Sequence, residues 1–280
     1  MIVASSMVDT LRAASERNTS LLCVGLDPDP RRFPAVVGQR PDAIGTFNKA
    51  IIDATSDLVC CYKPNLGFYI AWGAAGFAAL ARLRDDVPSH IPILLDAKVG
   101  DIDTTTAAYA RGFFEEWRFD AVTANPFLGE DALLPLLERG DKGVFILSKT
   151  SNPGSGLLQD RLLLDNHGEA PVSVSITVAR HARAWNSRGN VGLVVGATYP
   201  AQLAAVRAEA PDLPILVPGI GVQAGDLEAA VRAGVDERGG GLLLNASRAI
   251  TYASSGADFQ EAARAVAVGL RDAIERVRYA

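Results

Sequence analysis

The 280 residues of this chain predict an α/β fold, a (β/α)8 TIM barrel, on three observations. Short apolar, β-branched runs alternate with longer Ala- and Leu-rich segments of helical character, the pattern of βα units around a parallel sheet. Eight such runs occur, the number that closes a barrel. Polar residues able to do chemistry gather at the C-terminal ends of these runs. An open, doubly wound sheet is the alternative that the same alternation allows.

The elements follow in order. Residues 1–18 form a helical extension ahead of the first strand, 21–26, which runs into Asp27 and an irregular stretch over 28–41. The second strand, 58–63, holds Cys60 and Cys61 and ends on Lys63. The third, 91–96, is apolar throughout Ile91-Pro92-Ile93-Leu94-Leu95, as a parallel strand buried on both faces requires, and ends on Asp96. Further strands are read at 121–125, 143–147, 191–196, 215–217 and 241–245. Pro- and Gly-rich stretches are brief, and none separates two segments that could each form a core, so residues 1–280 read as a single barrel domain. Residues 151–171, with Asn152-Pro153-Gly154-Ser155-Gly156, are a candidate lid, because a loop after a barrel strand lies on the face where these folds build their sites.

Composition narrows the function classes. A net charge of -5 argues against broad attraction to nucleic acid or an anionic membrane, so an anionic substrate must be held by local donors. Three cysteines, two of them adjacent in an apolar run, suit buried thiols in a reducing cytoplasm better than a disulfide framework. Residues 1–20 lack the pattern of an export signal, and no apolar stretch is long enough to span a bilayer. His90, His167 and His181 have no ligand-like spacing with one another or with the cysteines, and no dinucleotide fingerprint follows the first strand, so neither a metal nor a redox cofactor is expected.

Two constellations carry chemistry. In Asp96-Ala97-Lys98-Val99-Gly100-Asp101, strand alternation aims Asp96 and Lys98 to one side, with Asp101 in the following turn. An ammonium flanked by carboxylates stays protonated and can deliver its proton to a developing carbanion, which makes Lys98 a candidate general acid. Lys63 on the preceding strand extends the set to an alternating Lys-Asp-Lys-Asp array. The bland alternative is an ion-pair network tying a strand end to the next helix, with Asp103 or Thr104 as its cap. The second constellation is Pro218-Gly219-Ile220-Gly221-Val222-Gln223 after the seventh strand and Asn245-Ala246-Ser247-Arg248 after the eighth. Gly219, Gly221 and Ser247 offer backbone and hydroxyl donors to a phosphate, and the Arg248 guanidinium can engage its oxygens bidentately. Loops in these two positions recur as the phosphate site of the barrel.

Taken with Lys63, the glycine loop and Arg248, Asp96-Ala97-Lys98-Val99-Gly100-Asp101-Ile102 closely resembles the orotidine 5'-phosphate decarboxylase family. Leu26-Asp27-Pro28, Lys63-Pro64-Asn65 and Ser151-Asn152-Pro153-Gly154 look like its longer bacterial branch. The resemblance implies cofactor-independent decarboxylation of orotidine 5'-phosphate to UMP in de novo pyrimidine biosynthesis. It implies that Asp27 binds a ribose hydroxyl, that Lys63 joins the charged network, that Asp96 lies near the substrate carboxylate and that Lys98 protonates C6. Ser151 would meet the pyrimidine edge, and Gln223 and Arg248 would hold the phosphate. Asp101 and Thr105 would reach into the neighbouring subunit's site, which implies a homodimer with shared active sites. Asn125 and Gln159 are supporting candidates without an assigned role. A metal-dependent decarboxylase of a keto-sugar phosphate shares the Asp-x-Lys-x-x-Asp pattern, but it resembles a site with a carboxylate at the end of strand two, where Lys63 would repel a divalent cation. A phosphate-ligand sensor that has lost turnover is the reading from another class, and the intact charged set argues against it.

Overall fold

Burying eight apolar runs on both faces calls for side chains inside a barrel and helices outside it. The computed structural model, which describes residues 6–38, 40, 42–164, 170–220 and 224–280 (the backbone alone for 224–226), has that arrangement. The eight parallel strands are Leu22–Leu26, Cys61–Pro64, Leu94–Val99, Ala121–Ala124, Gly143–Lys149, Val191–Val195, Ile215–Pro218 and Leu242–Ala246. They lie side by side in the order two, one, eight, seven, six, five, four, three. Parallel bridges from Tyr62 to Ile93 and from Asn65 to Asp96 join the two ends of this list, and the Tyr62 N–H donates to the Pro92 carbonyl at 3.0 Å. The predicted barrel is therefore the fold, and the open sheet is not.

The hydrophobic side chains divide into two cores. Inside the barrel, each strand contributes one residue to a layer of Cys23, Cys61, Leu94, Ala121, Phe145, Val194, Leu216 and Leu243. The helix Met7–Asn18 closes the lower end of this layer with Met7 and Leu11. A Cβ at Gly143 would stand 2.7 Å from Met7 Cγ, so that strand needs a glycine where the plug enters. Outside, the helices Ala43–Thr55, Gly73–Asp86, Asp103–Arg111, Glu130–Leu137, Val174–Trp185, Pro200–Glu209, Ala224–Gly234 and Phe259–Arg278 bury the other face of the strands. Cys23, Cys60 and Cys61 are free thiols, all buried, in line with the expectation of no disulfide framework. Arg207, 8 % exposed, donates to the carbonyls of Ala210, Pro211, Leu213, Gly234 and Gly241 and ties the lower rim together.

Several boundaries differ from the sequence expectation, for identifiable reasons. The third strand runs from Leu94 to Val99 rather than over 91–96, because Pro92 has no N–H to give a ladder and the polar Asp96-Ala97-Lys98 continues beside the fourth strand. The second strand begins at Cys61, three residues later than read from its apolar run. The fifth extends to Lys149 and pairs it with Val195, although its last two residues are polar. The described residues of the 151–171 segment include the turn Pro153–Ser155, the helical turn Gly156–Gln159 and Leu162–Leu163, which pairs with Val172–Ser173 just beyond the segment in a two-stranded ribbon. Residues 165–169, and with them His167, lie outside the described residues. Among the described residues no helix is long and apolar enough to cross a membrane.

Candidate active site

The inward positions that are apolar at the bottom of the barrel become polar at its upper, C-terminal end. Lys63, two residues beyond Cys61, and Asp96, two beyond Leu94, face the interior there, 3 % and 8 % exposed. Lys63 Nζ lies 3.0 Å from Asp96 Oδ2, which also accepts from Asn65 Nδ2 at 3.2 Å. The other carboxylate oxygen, Oδ1, accepts from Lys98 Nζ at 2.6 Å and from Thr123 Oγ1 at 2.9 Å. Asp96 is thus saturated by two ammoniums, an amide and a hydroxyl. Burial would push its carboxyl pKa up, but Lys63 and Lys98 outweigh that and hold it well below the usual carboxylate range. Burial likewise disfavours the Lys63 ammonium, yet Asp96 and Asp27 reverse the balance and raise its pKa.

Asp96 and Lys98 converge as strand alternation suggests, though not by regular pleating. The ladder to the fourth strand breaks register between Leu95 and Val99, and Lys98 has a left-handed φ of 49°. Its side chain is 46 % exposed, against 9 % for Asp96. Both line a cavity of about 300 Å³ whose other walls are Thr150, Ser151, Asn152, Val194, Leu216 and Pro218. Ser151 is thereby brought to the same space as the charged array. The segment that carries it is fastened by Gln159, which accepts from the Thr150 N–H and donates to Thr150 Oγ1, both at 2.9 Å. Lys149 beneath it is 1 % exposed and pairs with Asp160 at 2.7 Å.

Asp27 follows the first strand directly. Its Oδ1 is buried with no hydrogen-bond partner among the described residues, an arrangement suited to a donor on a bound ligand. Register places the ends of strands seven and eight side by side, with Pro218 opposite Asn245 and Ala246 opposite Val24. Gly219, at φ 100°, and the exposed Arg248 therefore leave neighbouring strand ends. Ser247 packs across Gly25, where a Cβ would come within 1.8 Å of its Oγ. Gly221 and Gln223 lie outside the described residues.

Of the predicted site residues among those described, Asp96, Lys98 and Ser151 line this cavity, whereas Asp27, Lys63, Gly219, Ser247, Arg248, Asp101 and Thr105 are outside its lining. Asp101 is half-buried and its carboxylate accepts the N–H of its neighbour Ile102, while Thr105 is exposed on the next helix. Nor does Asp103 or Thr104 cap that helix: its N-cap is Ile102, with no side-chain cap bond. Asn125 caps the turn Pro126–Leu128 by accepting the Phe127 N–H at 3.1 Å, a local role. Sequence reasoning missed Thr123 and gave Asn65 no role. The signal for Thr123 was present, as the one hydroxyl in the otherwise apolar strand Ala121–Ala124. Among the described residues no group of three or more His, Cys, Asp or Glu side chains could hold a metal ion.

The sequence matches the family described as "Orotidine 5'-phosphate decarboxylase / HUMPS family" over residues 20–266. It is 56 % identical over 274 residues to an orotidine 5'-phosphate decarboxylase of Thermomicrobium roseum, covering 98 % of this chain and 96 % of that one. The chain belongs to the orotidine 5'-phosphate decarboxylase family. A second relative of that name, from Azoarcus sp., is 52 % identical over 272 residues, 96 % of this chain and 98 % of its own. The structure of OMP decarboxylase from Leishmania donovani superposes with a TM-score of 0.85 at 41 % identity, covering 98 % and 99 % of the two chains. UMP synthase from Leishmania donovani superposes at 0.87 and 42 %, with 98 % of this chain matching 57 % of that one.

The orotidine 5'-phosphate decarboxylase family resemblance read from Asp96 to Ile102 is therefore correct, and the array gives it an energetic test. Replacing Asp96 by Asn leaves the Lys63 ammonium buried without its nearest counter-charge. Asp96→Asn is expected to cost about 3 kcal/mol of unfolding free energy, measured by urea denaturation at pH 7. Because the native carboxyl titrates below the unfolded value of about 3.9, this deficit should be complete above pH ~5 and shrink progressively as the pH falls from the unfolded value towards the lower native one. A deficit under about 0.5 kcal/mol, the scale of an exposed pair, would show that the array is not strongly coupled.

Proposed function

We propose that the chain decarboxylates orotidine 5'-phosphate to UMP in de novo pyrimidine biosynthesis, without a cofactor, and that Lys98 protonates C6. The observation that carries this reading is the Lys63-Asp96-Lys98 array, whose Asp96 and half-exposed Lys98 line the cavity. Family membership at 56 % identity supports the substrate.

Loss of CO2 leaves an electron pair at C6, in the ring plane and remote from delocalisation. A fixed ammonium beside that carbon stabilises the charge as it develops, more than it stabilises the neutral C6 of the substrate, and so lowers the barrier. Proton transfer from Lys98 to C6 then completes UMP. Asp96 holds Lys98 in place and presents its carboxylate to the substrate's own, while Lys63 keeps Asp96 charged. The unpartnered Asp27 Oδ1 is suited to accept from a ribose hydroxyl, and Ser151 to meet the pyrimidine edge. Gly219, Gly221, Ser247, Gln223 and Arg248 are assigned to the 5'-phosphate, whose distant binding free energy favours the reactive geometry. The 151–171 segment serves as the lid over the pyrimidine. The buried Lys63 ammonium, 3.0 Å from Asp96, occupies the side of that carboxylate that a divalent cation would need, which disfavours the metal-dependent reading.

Asp101 and Thr105 are outside the lining of their own cavity, and Ile102, Tyr109, Phe127 and Leu128 are exposed near them in the chain. This supports a homodimer in which each subunit lends Asp101 and Thr105 to the other. The barrel is one domain, and the three free thiols suit a cytoplasmic location.

Purified protein should deplete the absorbance of orotidine 5'-phosphate with chelator present; no decay, or decay only on adding metal, rejects the assignment. Lys98→Ala should lower kcat by about 10³-fold or more while calorimetry still detects UMP binding; near-normal turnover would remove Lys98 as proton donor. For the shared site, mixing inactive Asp101→Ala and Lys98→Ala dimers should recover activity through hybrid sites. Verified heterodimers that stay inactive would count against cross-subunit donation.

A further inference from the structure

Thr123 holds a position that the reaction scheme above leaves unused. Its side chain is fully buried and lies behind Asp96 and Lys98, outside the lining of the cavity. The hydroxyl donates to Asp96 Oδ1 at 2.9 Å and accepts the backbone N–H of Lys98 at 2.9 Å. A hydroxyl has one proton and two lone pairs, so both bonds can exist at once. One oxygen therefore ties the carboxylate to the main chain of the residue that carries the ammonium.

The tie matters because the backbone of Lys98 is otherwise poorly supported. The ladder between strands three and four loses register between Leu95 and Val99, so the Lys98 N–H is not held by regular pairing. Lys98 also has φ 49°, a conformation that side chains with a Cβ rarely adopt without a local reason. The Thr123 hydroxyl supplies that reason, and the Lys98 side chain then folds back to place Nζ 2.6 Å from the same Oδ1. Oxygen, amide, side chain and carboxylate form a closed ring of contacts.

We propose that Thr123 is a positioning residue for the decarboxylation: by holding the Lys98 main chain and Asp96 Oδ1 on one oxygen, it sets where the Lys98 ammonium stands over the substrate. It acts through Lys98 and Asp96 and does not touch the substrate. The proposal rests on the decarboxylase reading.

The test compares full-length wild-type protein with Thr123→Val, which keeps the shape and removes the hydroxyl, and Thr123→Ser, which restores it. Thr123→Val is expected to lower kcat by about 10²-fold, the scale of a misplaced catalytic group, with KM and the calorimetric Kd for UMP each within about threefold. Its Lys98 amide should exchange with solvent faster than in the wild type. Thr123→Ser should return kcat to within about threefold of wild type and restore the amide protection. Wild-type kcat in a folded Thr123→Val protein would overturn the proposal, as would a Ser variant no better than the Val variant. Parallel losses in kcat, UMP affinity and melting temperature would also overturn it, since they mark a general packing defect. If Thr123→Val does not fold, Thr123→Ala also removes the hydroxyl and is compared with Thr123→Ser in the same way. Wild-type protein inactive on orotidine 5'-phosphate is a failure of the decarboxylase reading, whereas an active wild type with an equally active Val variant is a failure of this proposal alone.

Discussion

A carboxylate with both oxygens occupied twice is the constraint around which the upper end of this barrel is built. Asp96 is almost removed from water, and an ionised carboxylate in that setting is stable only if its lone pairs are taken. Lys63 from strand two, Asn65 beyond it, Lys98 from strand three beside Asp96 itself and Thr123 from strand four meet that demand. The donors come from the ends of strands two, three and four, so the barrel must close between strands two and three for the set to exist. The bridge from Asn65 to Asp96 lies at that closure.

The same constraint explains the irregular course of the third strand. A regular pleat would set Lys98 further along the inner wall, with its N–H committed to the neighbouring ladder. A register break and a left-handed residue instead turn the chain so that the ammonium returns to the carboxylate two residues earlier. The following turn carries the half-buried Asp101 and the exposed Ile102 outside the cavity lining. At the other end of the barrel the inner layer is apolar and closed by Met7 and Leu11, and Arg207 gathers five carbonyls there. Chemistry and stability occupy opposite ends.

Much of this was legible before the fold was seen. Eight apolar runs separated by helical segments led to the barrel, and the spacing of Asp96, Lys98 and Asp101 marked the reacting region. Boundaries were less legible wherever polar residues are inside. Lys149 belongs to the fifth strand and is buried, yet hydrophobic patterning stops two residues short, because a lysine is buried only where tertiary contacts such as Asp160 receive it. Thr123 and Asn65 escaped for a related reason. Neither residue type is unusual in its local context, and their significance lies in a partner 27 and 31 residues away.

Periodicity and residue type, which are local properties, were enough to determine an α/β class with eight parallel strands and the identity of the charged residues, while the closure of those strands into a barrel rather than an open sheet came from the bridges between strands two and three. Family membership was legible as a resemblance, since the motif residues that carry it are contiguous or fall at strand ends. Only the tertiary structure decided which groups share the Asp96 carboxylate, that Lys98 reaches it through a left-handed turn, and that Asp101 and Thr105 stand away from their own cavity. Hydrogen bonds between strands distant in sequence depend on register and closure, and these are set by packing the whole ring at once.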